Sequence, residues 1–169
     1  ATVGVGGRKP SIARCVGKLT STSCRCGACR IDIKATPRVR MYCHCTICQR
    51  FNGAPKADIV ALRRRDVVLE PESPVQFQRY KRWMAVDRGA CRECGQPVIE
   101  YLDLPLLPAL AMVPSALLEE STLPAPSLHL FYEHRVADVQ DGLPRHEGFL
   151  ASQLAASRLI LGDLRRHRR

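Results

Sequence analysis

Apolar and polar positions alternate with a period of two in several short stretches, CRIDIK over 29–34, VQFQRY over 75–80 and part of SLHLFY over 127–132. Successive side chains on a strand face opposite sides, so this alternation predicts half-buried strands. IVAL at 59–62 and VVL at 67–69 are continuous apolar runs of strand length. Turn-forming residues separate them: Thr36-Pro37, Asn52-Gly53, PESP at 71–74 and Gly95-Gln96-Pro97 leave pieces too short for most helices. Five prolines between 104 and 126 restrict that segment to one short strand near Leu110–Val113, a turn and a loop. The pattern predicts a mainly β fold with mainly antiparallel strands. Only the end has helical spacing: Leu150, Leu154, Leu161 and Leu164 form a one-sided stripe, predicting a short C-terminal helix docked on the domain or on a partner. Gly162 weakens its last turn.

The chain divides into an N-terminal arm over 1–17, a domain over 18–146, and the helix with a basic tail over 147–169. The arm has glycine at three of its first seven positions and no periodic apolar face. Its GVGGRK is not a phosphate loop, because Arg8-Lys9-Pro10 stands where Gly-Lys-Ser/Thr is needed. A length of 169 residues with 46% hydrophobic content suits one core. No signal-type apolar run occupies the first 30 residues, and the longest apolar stretch, 102–118, carries Asp103 and three prolines. The expectation is a soluble cytoplasmic protein with no membrane partner.

The formal net charge is +10, part of it in RRHRR at 165–169. Without aromatic residues among these arginines, a solvated tail is expected and nucleic acid is not the expected partner. Self-association into a homo-oligomer stays open.

Nine cysteines change the picture. In a chain without an export signal, clustered cysteines point to metal before disulfides. Cys24-Arg25-Cys26, Cys43-His44-Cys45-Thr46-Ile47-Cys48 and Cys91-Arg92-Glu93-Cys94-Gly95 are three knuckle-like clusters, with Cys15 outside them. Cys24 and Cys26 joined by Cys91 and Cys94 would make a closed four-thiolate zinc site that staples the early strand to the late one, and closed sites hold structure. Cys29 is a rival to Cys24, although its place in an alternating strand suits a packed apolar group better. Cys43, Cys45 and Cys48 then form a second site of three thiolates, and catalytic zinc characteristically has three protein ligands and one exchangeable position. In an extended 41–45 segment His44 points away from Cys43 and Cys45, which favours a supporting role for it over fourth-ligand duty. Two zinc ions per chain are expected. Seven ligand thiolates remove seven charges and two zinc ions restore four, so the loaded chain stays basic at +7.

Thiolate-rich zinc is a weak Lewis acid, so its open position suits an incoming thiol better than hydrolytic water. Arg50 and Lys56 could bind the carboxylates of an acidic thiol such as glutathione, and Gly53 would let the backbone come close. The other function class is a non-catalytic zinc module that contacts an acidic macromolecule through its basic surface and tail.

Four segments, SCRCGACR at 23–30, CHCTICQRFNGAP at 43–55, CRECGQPV at 91–98 and LHLF with DGLPR within 128–145, resemble the glutathione-dependent formaldehyde-activating enzyme family, the domain shared with centromere protein V. The resemblance implies a β-tent of antiparallel sheets around zinc knuckles. It also implies structural zinc on Cys24, Cys26, Cys91 and Cys94, and a second zinc on Cys43, Cys45 and Cys48. The activity it implies is that of a carbon–sulfur lyase of the S-(hydroxymethyl)glutathione synthase type, joining formaldehyde to glutathione. The chain departs from the family pattern at Lys56 and Ala90, where aromatic residues are usual, and at Cys29, where an aliphatic is common.

Overall fold

A computed structural model describes residues 20–81, 86–103 and 108–166. The N-terminal arm with Cys15, and the last three residues of the basic tail, lie outside the described residues. The chain is mainly β, as its alternation predicts. A three-stranded antiparallel sheet pairs β1 (Thr20–Ser23), β2 (Arg30–Ile33) and β5 (Val67–Leu69). An eight-stranded sheet is ordered β11-β10-β3-β4-β9-β8-β7-β6. Its members are β3 (Val39–Cys43), β4 (Ala57–Arg63), β6 (Val75–Gln78), β7 (Val86–Cys91), β8 (Pro97–Leu102), β9 (Leu110–Pro114), β10 (His129–Leu130) and β11 (Arg145–His146). Two pairings in it are parallel, β10 with β3 and β10 with β11.

Central β4 is buried on both faces, which explains its continuous apolar run. Val60 and Leu62 join a core with Ile31, Ile33, Val98 and Val113, in which Cys24 and Cys91 are also buried. Ile59 and Ala61 face the other way, into a core with Val39, Met41 and Leu130 that contains Cys43 and Cys48. The two cysteine clusters therefore sit in separate cores on opposite faces of one sheet.

Among the described residues, α-helices occur in two places. Besides the C-terminal helix α2 (Phe149–Arg166), a seven-residue helix α1 (Thr46–Asn52) lies inside the segment that its turn residues seemed to make too short for one. Local caps account for it: the Cys45 sulfur accepts from the Cys48 N–H, and Gly53 closes the other end in the left-handed conformation. The stripe expected on α2 is corrected at its first two positions, whereas Leu161 and Leu164 are half-buried. Leu150 and Leu154 are 81% and 52% exposed, and the helix docks through Ser152, Ala155, Ala156, Leu159 and Ile160 instead. Ser152 earns the buried position because its hydroxyl accepts from the Phe131 N–H at 2.9 Å and donates to the His146 carbonyl at 3.2 Å. Gly162 does not end the helix, which continues to Arg166.

Candidate metal centres

Cys24 and Cys26 lie on the turn after β1, Cys91 ends β7, and Cys94 lies on the turn between β7 and β8. Gly27 and Gly95 follow each pair at φ of 79° and 72°, conformations that L side chains rarely adopt. The four sulfurs lie within 4.8 Å of one another, with Cys24 to Cys26 at 3.4 Å and Cys26 to Cys91 at 3.7 Å. All four cysteines are free thiols. Zinc–sulfur bonds of about 2.3 Å at tetrahedral angles would set sulfurs roughly 3.8 Å apart, so this donor set fits zinc. The Arg25 N–H donates to the Gln96 side-chain carbonyl at 2.6 Å and ties the two turns together. Burial works against ionisation of Cys24, but the Cys29 amide and the Cys26 thiol bring it down to about 6. Cys29 stays outside this group: it is fully buried in the core, and burial, with the neighbouring Cys91 sulfur, pushes its thiol well up.

The second group forms where β3 runs into α1. Cys43 ends the strand, Cys45 caps the helix, Cys48 lies in its first turn, and their sulfurs also gather within 4.8 Å. Hydrogen bonds from the Cys43 and Cys48 thiols pull Cys45 down to about 2, while both donors are driven up. The three sulfurs thus share protons through hydrogen bonds, and a divalent cation binding them would displace those protons. No further cysteine, histidine or carboxylate joins these three among the described residues.

His44 is engaged elsewhere. Its Nε2 lies 2.8 Å from His129 Nδ1, and His129 Nε2 lies 2.8 Å from the Asp141 carboxylate, with the Tyr132 ring edge-on to both imidazoles. Asp141 accepts from His129, which leaves His129 Nδ1 to accept from His44 Nε2. His44 Nδ1 is buried without a partner. Burial, then the neighbouring His129, depresses His44 from 6.5 to about 4. Between those values the unfolded chain binds a proton that the folded chain refuses, so this residue makes stability fall as pH drops from 6.5 towards 4. Urea unfolding of the wild type and His44→Asn side by side should show the acid slope reduced in the variant. Zinc content should be equal in the two proteins at pH 7, and a loss in the variant would make His44 a ligand.

Arg50, Gly53 and Lys56 line one cleft of about 600 Å³, and Arg25 and Gln96 of the closed knuckle line its other side. The three cysteines of the second group do not line it. Lys56 does not simply face solvent, since its ammonium sits 3.9 Å from the centre of the Tyr42 ring. Asp58, also in the cleft, is held bidentately by Arg40 at 2.7 and 2.9 Å and so leaves the other cations uncompensated.

A family profile described as glutathione-dependent formaldehyde-activating enzyme matches residues 19–134, more than half of the chain. The chain belongs to that family. Among solved structures, a crystal structure of a Rhodobacter sphaeroides protein is similar at 19% identity and a TM-score of 0.46, covering 60% of this chain and 89% of that one. No curated protein sequence matches the chain. Within this family member, both cysteine groups can hold zinc on the geometry above. No described helix is long and apolar enough to cross a membrane.

Several residues at the site escaped sequence reading. Arg88 and Glu100 face each other across β7 and β8 behind the second group, with Nε 2.8 Å from Oε2. They stand symmetrically about the turn at Cys94, so an inward-facing pair of opposite charges was available as a signal. His129 and Asp141 fall within LHLF and DGLPR, but nothing in those segments signals their meeting with His44, which is distant in sequence.

Proposed function

We propose that this chain is a zinc-dependent enzyme of the carbon–sulfur lyase type, acting on the adduct of a small acidic thiol, glutathione or a close relative, with a reactive carbonyl such as formaldehyde. The observation that carries this reading is the contrast between the two centres, four gathered sulfurs in one and three in the other, in a member of a glutathione-dependent family. In this reading there are two zinc ions per chain. Cys24, Cys26, Cys91 and Cys94 hold the structural ion, and Cys43, Cys45 and Cys48 hold the one at the reaction site. Zinc bound there supplies a position for a thiol sulfur and keeps it ionised near neutral pH.

The chain's own residues bind and orient. Arg50 and Lys56, joined by Arg25, offer cations to the carboxylates of the thiol, and Gly53 leaves the loop without a side chain where the ligand would pass. His44 stays neutral and fixed by His129 and Asp141, which holds the strand end between Cys43 and Cys45 in place. Free thiolate-rich centres persist in a reducing compartment, so the cytoplasm is the proposed location.

X-ray absorption at the zinc edge tests the reading. Saturating glutathione should raise the average sulfur count per zinc, and no change would leave the second centre structural. Charge reversal at Arg50 or Lys56 should weaken glutathione binding by about tenfold, as expected for a charged hydrogen-bonded contact. Binding of cysteamine, a thiol without carboxylates, should hardly change. Equal loss for both ligands would remove these residues from carboxylate recognition.

A further inference from the structure

The register of the large sheet lines up Arg88, Glu100, Met112, Ala61 and Val39 in one cross-strand row. Ala61 and Val39 place that row on the face of the three-cysteine core. Within an otherwise apolar row, Arg88 is 5% and Glu100 1% exposed. Burying an ion pair gives a sheet little stability over well-packed apolar residues of the same size, so two buried charges on paired strands call for another reason. The guanidinium has the three-cysteine group as a second neighbour. It lies close to Cys48 and in the field of Cys45, while its Nε lies 2.8 Å from Glu100 Oε2 as an ion pair without a hydrogen bond. Tyr80 stands beyond it, with its ring centre 5.8 Å from the guanidinium carbon and packed edge-on against Phe51 of α1. The Arg88–Glu100 pair is thus a fixed dipole whose positive end rests on the sulfurs.

We propose that Arg88, oriented by Glu100, is the positioning residue that offsets the negative charge of the three-cysteine centre when a substrate thiolate joins it, and so favours an ionised thiol over a neutral ligand. This rests on the thiol-binding reading above. Three thiolates and one divalent ion leave a net charge of −1, and a further thiolate doubles it in a mostly buried place. Repulsion grows there as the dielectric falls, and a guanidinium already desolvated beside the sulfurs opposes it without reorganising. A lysine would keep the charge but not the fork that contacts Glu100 and Cys48 together.

The test uses the full chain loaded with cobalt(II), whose sulfur-to-metal charge-transfer band reports thiolates at the metal. Titration with 2-mercaptoethanol, which has no carboxylate for Arg50 or Lys56, is compared with titration by neutral imidazole. Replacing both partners, Arg88→Met with Glu100→Met, avoids an orphaned buried charge. That variant should bind 2-mercaptoethanol about tenfold or more weakly while imidazole affinity changes by less than about twofold. Arg88→Lys should recover part of the loss. The proposal is overturned if the double variant keeps the wild-type cobalt band and binds the thiol as tightly as wild type. It is equally overturned if neither variant holds cobalt at the three cysteines, since the pair would then belong to the scaffold. A wild-type band unmoved by both glutathione and 2-mercaptoethanol would instead sink the proposed function itself.

Discussion

Cys94→Ala is expected to abolish cooperative folding. Cys94 is half-buried on the turn between β7 and β8, and its sulfur completes the group whose other members reach back to the turn after β1. Those turns join the small sheet to the large one, and Cys24 and Cys91 are buried in the core between them with Ile31, Val98 and Ile99. Zinc bound by a structural four-thiolate site contributes about 10–16 kcal/mol of apparent free energy. A domain of this size is stable by only about 5–15 kcal/mol in total. Losing one ligand therefore removes a contribution comparable to the whole stability and leaves three unpaired thiols at the junction. Near-ultraviolet circular dichroism should lose its native signal in the variant, and urea should produce no sigmoidal transition. A strong chelator should do the same to the wild type. A variant that unfolds cooperatively near the wild-type midpoint would show that the core stands without this ion.

The parts of the molecule that could be read from the sequence are those whose determinants are local. Cys24-x-Cys26 and Cys91-x-x-Cys94 are legible because chelation by one turn fixes the spacing of its ligands. Arg30–Ile33 is legible because Ile31 and Ile33 are buried on one face, whereas Val75–Gln78 keeps its alternation as an edge strand on which Phe77 is 42% exposed. What escaped depends on partners far along the chain or on a polar group satisfied in the core. Ser152 holds the centre of the α2 interface through its hydroxyl, while the larger Leu150 and Leu154 face solvent, so weighting by side-chain size pointed to the wrong stripe. β11 carries no period and β10 only two residues of the alternating 127–132 stretch, so their parallel pairing is set by where β3 leaves its edge open. α1 is seven residues long and owes its existence to a cysteine cap and a glycine stop, signals that resembled a turn. His129 was visible as the polar member of an alternating stretch, but its burial between His44 and Asp141 needed three separate segments to meet.

The sharpest separation between scaffold and site comes from Cys48→Ala. This substitution is expected to leave a folded protein that has lost its second metal ion and its thiol binding. Cys48 is buried, yet the surrounding core of Val39, Met41, Ile59 and Leu130 is covered by α2 independently of the sulfur. The helix cap also survives in principle, since it is the backbone N–H of residue 48 that meets the Cys45 sulfur at 3.3 Å. Removing a small buried thiol should therefore cost on the order of 1 kcal/mol, a few degrees in melting temperature. With only Cys43 and Cys45 remaining, two thiolates no longer hold the ion against competing protons and chelators. Zinc analysis should fall from two ions per chain to one, the remaining ion resisting mild chelation as the closed centre does. Glutathione affinity should drop by at least about a hundredfold, because zinc binding to the thiol sulfur is worth more than the carboxylate contacts that remain. If the variant unfolds like Cys94→Ala, the second centre is part of the scaffold. If it stays folded and binds glutathione unchanged, the thiol is held by the cationic cleft of Arg25, Arg50 and Lys56 without the three cysteines, which do not line that cleft.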